Sequence, residues 1–241
     1  MAKLHIGLSG YDYKEWNGEG LFYPSSVKPS GFLKHYSLQF NSLESNGSFT
    51  KIPSEATVKK WIRSTPDEFT VSPKMYQGVS HFKRLNEVAI EIARDFVNTL
   101  DPLKNADKLG PILVQLPHNM KVDDAKLSTF LKAMSKFRGY RWAFEFLNES
   151  WNTPKVVKIL EKHNVAVVVS DSEKVLSQPR NPANFEYIRL RRLTYTDDQL
   201  EAWAETIRKH MADGKDCFVY CRHKDTESPW KWGEQLRELV G

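Results

Sequence analysis

The chain has 241 residues, 40% of them hydrophobic and 27% charged, with a formal net charge of +5 and a pI near 9.0. That balance belongs to a globular protein with a sizeable core. It excludes a membrane span, because no apolar run approaches the roughly 18 residues needed, and MAKLHIGLSG lacks the features of a secretory leader, so a cytoplasmic protein is expected.

The first predicted strand is LHIGLSG (4–10), with a helix inside the following SSVKPSGFLKHYSLQF. FNSLES (40–45) is the second strand, and SEATVKKWIRSTP a helix with Ser54 as its N-cap. EFTVSPK (68–74) is the third; the helix after it, NEVAIEIARDFVNTLDPLK, sets Val88, Ile92 and Phe96 on one face. GPILVQLP (110–117) is the fourth strand, before the amphipathic DDAKLSTFLKAMSKF. RWAFEF (141–146) is the fifth, followed by the helix PKVVKILEKHN. VAVVVSDS (165–172) is the sixth, its unbroken apolar run suiting a parallel strand buried on both faces. FEYIRLRR (185–192) is the seventh, followed by DDQLEAWAETIRKHMADG, capped by Asp197 or Asp198 and closed by Gly214. DCFVYCR (216–222) is the eighth, and SPWKWGEQLRELVG the last helix.

This order of strands and helices predicts an α/β protein with a parallel sheet, and eight such units close into a single (β/α)8 TIM-type barrel spanning residues 1–241. A doubly wound open sheet would carry G-x-G-x-x-G in its first turn, where this chain has LSGYDYKEW. Cys217 and Cys221 sit about 13 Å apart on one strand, too far for a disulfide, and read as packing residues.

Barrel chemistry sits at the C-terminal ends of strands. Those ends carry Ser9 and Tyr11, Glu44 and Asn46, Lys74, Gln115, Glu145, Asp171, Arg189 and Arg191, and Tyr220 and Arg222. Alternation points Trp142, Phe144 and Phe146 at the helices and turns Ala143 and Glu145 into the barrel. Gln115 faces opposite to Val114 and Leu116 by the same rule. Buried polar groups are costly unless paired, so a shared cavity explains them better than isolated burials at the ends of eight strands.

Glu44, Glu145, Lys74 and Asp171 are the candidate catalytic residues, with Glu44 and Glu145 as the proton-transfer pair. Packed carboxylates cannot all ionise freely, so one pKa should rise. Lys74 and Arg189 would hold negative charge, Asn46 and Gln115 would orient a substrate, and Asp171 would tune or ligate. A carboxylate-bound Mg²⁺ or Mn²⁺ is compatible with this set. The seven histidines are too dispersed for a zinc hydrolase, and only His81 and His118 follow strand ends. Tyr11, Tyr13, Trp16, Phe22 and Tyr23 crowd the first loop and read as packing for a cover over the barrel; Trp230 and Trp232 read as packing too. The leading expectation is a hydrolase- or lyase-type enzyme acting on an anionic or polar substrate. The alternative is nucleic-acid binding or processing, with Arg191, Arg192 and Arg222 on phosphates.

These pieces together resemble the YecE-like family, domain of unknown function 72. The carriers are IGLSGYDYKEWNGEGLFYP, FNSLESNGSF, WIRSTPDEFTVSPK, Ser80-His81, LGPILVQLP, FEF with its downstream SW, VVVSDS, YIRL and LEAWAETIR. The resemblance implies a TIM barrel and maps motif residues onto Ser9, Gly10, Tyr13, Glu44, Asn46, Lys74, His81, Gln115, Glu145, Asp171 and Arg189. It adds Tyr13 and His81 to Ser9, Asn46, Gln115 and Arg189 as substrate-binding candidates, and brings no established reaction. The chain departs from the pattern at Leu147, Arg191-Arg192 and Arg222-His223, which implies a more cationic rim.

Overall fold

The structure, a computed structural model, describes residues 1–173, 178–222 and 228–241. Each apolar run forms a short strand: β1 Leu4–Leu8, β2 Ser42–Ser45, β3 Thr70–Pro73, β4 Ile112–Leu116, β5 Trp142–Phe146, β6 Ala166–Asp171, β7 Phe185–Leu190 and β8 Asp216–Cys221. They pair in parallel in the order β3-β2-β1-β8-β7-β6-β5-β4. The ring is nearly closed: among the described residues β3 meets β4 through the single bridges Val71–Leu109 and Lys74–Leu113. The predicted strands run up to two residues too long at most C-terminal ends, and β2 and β5 end as expected at Ser45 and Phe146.

The helices among the described residues are α1 Phe32–Gln39, α2 Gly47–Thr50, α3 Glu55–Arg63, α4 Glu87–Thr99, α5 Asp101–Asn105, α6 Asp124–Met134, α7 Pro154–Lys162, α8 Asp197–Ala212 and α9 Pro229–Val240. Ser54 caps α3 as expected, its Oγ accepting from the Thr57 amide. The cap of α8 is Thr196, not Asp197 or Asp198; Thr196 and Gln199 form a reciprocal capping box. On α4 the buried face is Ala89, Ile90, Ala93, Phe96 and Val97, and Val88 is exposed. Among the described residues no helix separates β6 from β7. Val169 therefore stands exposed on the outer face of β6, so that strand is not buried on both sides.

Alternation divides every strand between helix layer and lumen. Leu113, Ala143, Ala166, Val168, Phe185, Tyr187, Phe218 and Tyr220 fill the inside. At the base His5 stacks on Phe218 with ring centres 4.3 Å apart, and Arg141 lies over Phe218 and Phe185. Above them the Tyr220 hydroxyl meets Ser42 Oγ at 2.8 Å and Ser72 Oγ at 2.7 Å. The lumen is thus plugged below and polar above.

Two seams between strands are mended by side chains. Tyr36 of α1 inserts its hydroxyl between β1 and β2, accepting from the Leu8 amide (2.7 Å) and donating to the Ser42 carbonyl (2.8 Å). Gly7 makes the room: a Cβ there would lie 1.9 Å from the Ser42 oxygen. Asn41 extends the splice, accepting from the Ile6 amide and donating to the Leu4 carbonyl. Asn181 does the same between β6 and β7, from the Val167 amide to the Phe185 carbonyl.

Candidate functional site

Five strands meet at the floor of the mouth, and Arg189 of β7 is its centre. Its Nη2 donates to Glu44 Oε1 at 2.9 Å and its Nη1 to Glu145 Oε2 at 2.6 Å. Glu44 Oε2 also accepts from the Tyr187 hydroxyl at 2.9 Å. Gln115, paired in register with Glu145, donates its Nε2 to Glu145 Oε2 at 2.5 Å. The other end of that amide, Oε1, accepts from Lys74 Nζ at 2.9 Å. A continuous polar chain therefore runs Tyr187–Glu44–Arg189–Glu145–Gln115–Lys74. All of these except Gln115 are buried. Bidentate use of one guanidinium by two carboxylates is the arrangement that makes such burial tolerable.

The electrostatics differ from the expectation of a raised carboxylate. Burial does push the Glu44 carboxyl upward, but Arg189, Arg191, Ser9 and Tyr187 outweigh it, and its pKa falls below the ordinary value. Arg189, caught between two acids, is held still more firmly protonated despite its burial. The perturbed base is Lys74. Burial, and then the charge of Arg189, bring its pKa down to about 8 against the pull of Glu145 and Glu44. Its ammonium forms no ion pair with a carboxylate among the described residues, and it rests 4.2 Å from the centre of the Phe49 ring.

Around this floor stand the rim residues. Tyr13 donates its hydroxyl to the Ser9 carbonyl at 2.9 Å, and Asn46 Nδ2 donates to the same oxygen at 3.2 Å. Both thus position the first loop. His81 lies in a π-helical turn, Gly78–Phe82, with its Nδ1 at 2.9 Å from Ser80 Oγ and its ring edge-on to Phe49. Partial burial and the neighbouring Lys74 charge lower its pKa. A cavity of about 350 Å³ opens between β4 and β8, walled by Gln115, Glu145, Ser170, Arg189, Arg191 and Arg222 among others. A second, of about 420 Å³, is bounded by Tyr11, Tyr13, Asn46, Lys51 and Trp61. Trp16, Phe22, Tyr23 and Trp230 pack against one another and are buried, so the aromatic loop is a wedge, while Tyr11 and Tyr13 line the second cavity.

Ser9, Glu44, Asn46, Lys74, His81, Gln115, Glu145, Arg189 and Tyr13 are brought to one end of the barrel. Asp171 is not part of this cluster. Ser170 is the residue in register with Arg189, so Asp171 has the opposite parity and turns to the helix side. There it accepts from Arg192 Nε at 2.7 Å and Trp203 Nε1 at 3.0 Å. Arg192 is withdrawn from the mouth with it. Tyr187 and Ser170 were missed in the sequence. Tyr187 sits too deep to be a strand end, and the run VAVVVSDS has no alternation from which to pick Ser170 over Asp171. A divalent cation finds a poor donor set: the two carboxylates are already bridged by Arg189, and no group of three potential ligands converges among the described residues. Leu147 turns its carbonyl to His118 Nδ1 at 2.9 Å; His223 lies outside the described residues.

The molecule is thus a parallel α/β barrel of TIM type with a buried acid–arginine network and, linked to it through Gln115, a buried lysine of lowered pKa at its mouth. The family model described as "Protein of unknown function DUF72" matches residues 5–241, and the chain belongs to that family. It is 22% identical to the UPF0759 protein YunF of Bacillus subtilis, over 98% of this chain and 94% of that one. Among solved structures it is similar to a DUF72 family protein from Thermotoga maritima, at 22% identity and TM-score 0.77, covering 99% of each chain. A DUF72 family protein from Enterococcus faecalis matches with TM-score 0.78 and 16% identity, covering 98% of this chain and 95% of that one. These likenesses carry the barrel; no helix among the described residues is long and apolar enough to cross a membrane.

Proposed function

We propose that this protein is an enzyme of hydrolase or lyase type, working by acid/base chemistry on a small anionic or polar substrate at the C-terminal mouth of the barrel. Lys74 is the proton-transfer group. The observation that carries this reading is its amine: buried, brought to about 8, and hydrogen-bonded only to the neutral Gln115 among the described residues. A base poised near the working pH holds and releases a proton with equal ease. Glu44 and Glu145 serve instead as the fixed anionic frame, because each is tied to Arg189 and Glu44 is driven toward its charged form. Gln115 links that frame to the lysine and sets the direction of its lone pair when neutral.

The test is a screen of phosphorylated, carboxylated and glycosidic compounds, followed by a pH profile of whatever turns over. The rate should have a limb near pH 8 in the native enzyme. Lys74→Met should cost at least about a hundredfold, within the range that general acid–base groups contribute. Turnover that survives in that variant would refute the role. The nucleic-acid reading keeps Arg191 and Arg222 but loses Arg192 to Asp171. It requires affinity that falls steeply with salt.

A further inference from the structure

Five buried side-chain polar atoms among the described residues have no hydrogen-bonding partner, and four of them belong to the mouth: Ser9 Oγ, Arg189 Nε, Arg191 Nη1 and Gln178 Oε1. Native proteins leave few such groups unpaired, and a concentration of them in one place calls for a ligand. Three of the four can donate. Two are nitrogens of cations, and Ser9 and Arg191 both lie close enough to Glu44 to act on its carboxyl. Arg191 also reaches the field of Tyr13, whose hydroxyl is anchored on the Ser9 carbonyl. The donors therefore surround one patch of the rim rather than scattered points.

The charges there are unequally spent. Arg189 is consumed by two carboxylates. Arg191 has no ion pair among the described residues, yet it lines the 350 Å³ cavity together with Arg222, whose Nη1 donates to the Arg191 backbone carbonyl and so is fixed on the same wall. Glu173 is the further carboxylate on that wall, and one of its oxygens accepts from the Leu193 amide at 2.6 Å. Two forked cations facing a cavity of small-molecule size, with the buried Ser9 hydroxyl behind them beside Glu44, match an anion with several oxygens at short spacing.

We propose that Arg191, Arg222 and Ser9 form an oxyanion subsite that takes the phosphoryl group of a small substrate, above the Arg189 network. The idea rests on the mouth as the working site but not on the chemistry assigned to Lys74. Arg189 Nε forms the lower edge of this subsite and Gln178 Oε1 can accept from a hydroxyl of the same ligand.

Inorganic phosphate is the probe, titrated calorimetrically into the full chain at constant ionic strength, with chloride as the reference salt. The native protein should bind phosphate, and Arg191→Met should weaken it at least about tenfold, as expected for loss of a charged hydrogen bond. Ser9→Ala should weaken it by a smaller factor, and Arg63→Met, on α3 and away from the mouth, should not. Thermal midpoints of each variant without phosphate show that it is folded, and phosphate should raise the native midpoint and not that of Arg191→Met. Phosphate no more effective than chloride, or binding that survives in Arg191→Met, overturns the subsite. A carboxylate such as malonate binding more tightly than phosphate overturns the phosphoryl assignment. Lys74→Met should keep phosphate affinity within about threefold, so failure of the catalytic reading and failure of this one are read separately.

Discussion

Among single residues, Lys74 and Arg189 act on stability in opposite ways. Lys74 is destabilised in its charged form by burial, so the fold bears a cost for it at neutral pH. Lys74→Met should therefore raise stability at pH 7 by about 1–3 kcal/mol, less whatever Gln115 loses in partner, with the gain fading toward pH 10. Urea denaturation at both pH values checks this; a variant that is equally unstable at both would contradict it. Arg189 is the reverse case, a cation that makes two buried anions tolerable. Arg189→Leu should cost about 3–5 kcal/mol. The deficit should shrink as pH falls, because Glu44 can then take up a proton. Glu145 and Gln115 were legible in the sequence since bulky neighbours fixed their parity, Trp142, Phe144 and Phe146 on one side and Val114 and Leu116 on the other. Asp171 was misread because nothing beside it marked a face.

At the scale of elements, all eight strands could be read, because a parallel barrel demands short apolar runs at regular intervals and each run is bounded by turn residues. What could not be read was how neighbouring strands are joined. Tyr36 looks in sequence like one more apolar helix residue, yet its hydroxyl stands in for a missing rung between β1 and β2. Tyr36→Phe keeps the ring and strands the Leu8 amide and Ser42 carbonyl without partners. The expected loss is about 2–4 kcal/mol, since each buried unsatisfied group costs about 1–3 kcal/mol. Guanidinium unfolding measures the loss, and amide exchange at Leu8 should quicken at the same time. A change under about 0.5 kcal/mol would show that water replaces the hydroxyl. The bare outer face of β6 was equally invisible, for an apolar run cannot say whether a helix will cover it.

At the scale of the whole molecule, the titrating groups combine into one profile of stability against pH. His5 at the base is held down to about 4 by burial and by Arg141, so the unfolded chain binds the extra proton first. Stability should fall as pH drops from 6.5 to about 4, by roughly 3 kcal/mol at most from this group. Glu44, with its depressed pKa, adds a further loss once pH goes below its ordinary range. Lys74 acts at the other end: between about 8 and 10 the unfolded lysine still carries its proton and the folded one does not, so stability climbs. Beyond pH 10 the buried Tyr187 and Tyr220, both pushed upward, reverse the trend as the unfolded phenols ionise. A set of thermal melts from pH 4 to 11 should trace this shape, and His5→Phe should flatten its acid limb. The ring of strands also has an uneven circumference. β2 and β3 form a two-strand leaf, joined to β1 by two register pairs and the tyrosine splice and to β4 by single bridges. That leaf carries Glu44 and Lys74, and at the top it is fastened to the other six strands by Arg189 and Gln115. The network therefore acts as a clasp on a lightly bound panel, and Arg189→Leu should quicken amide exchange in β2 and β3 before it does so in the other six strands.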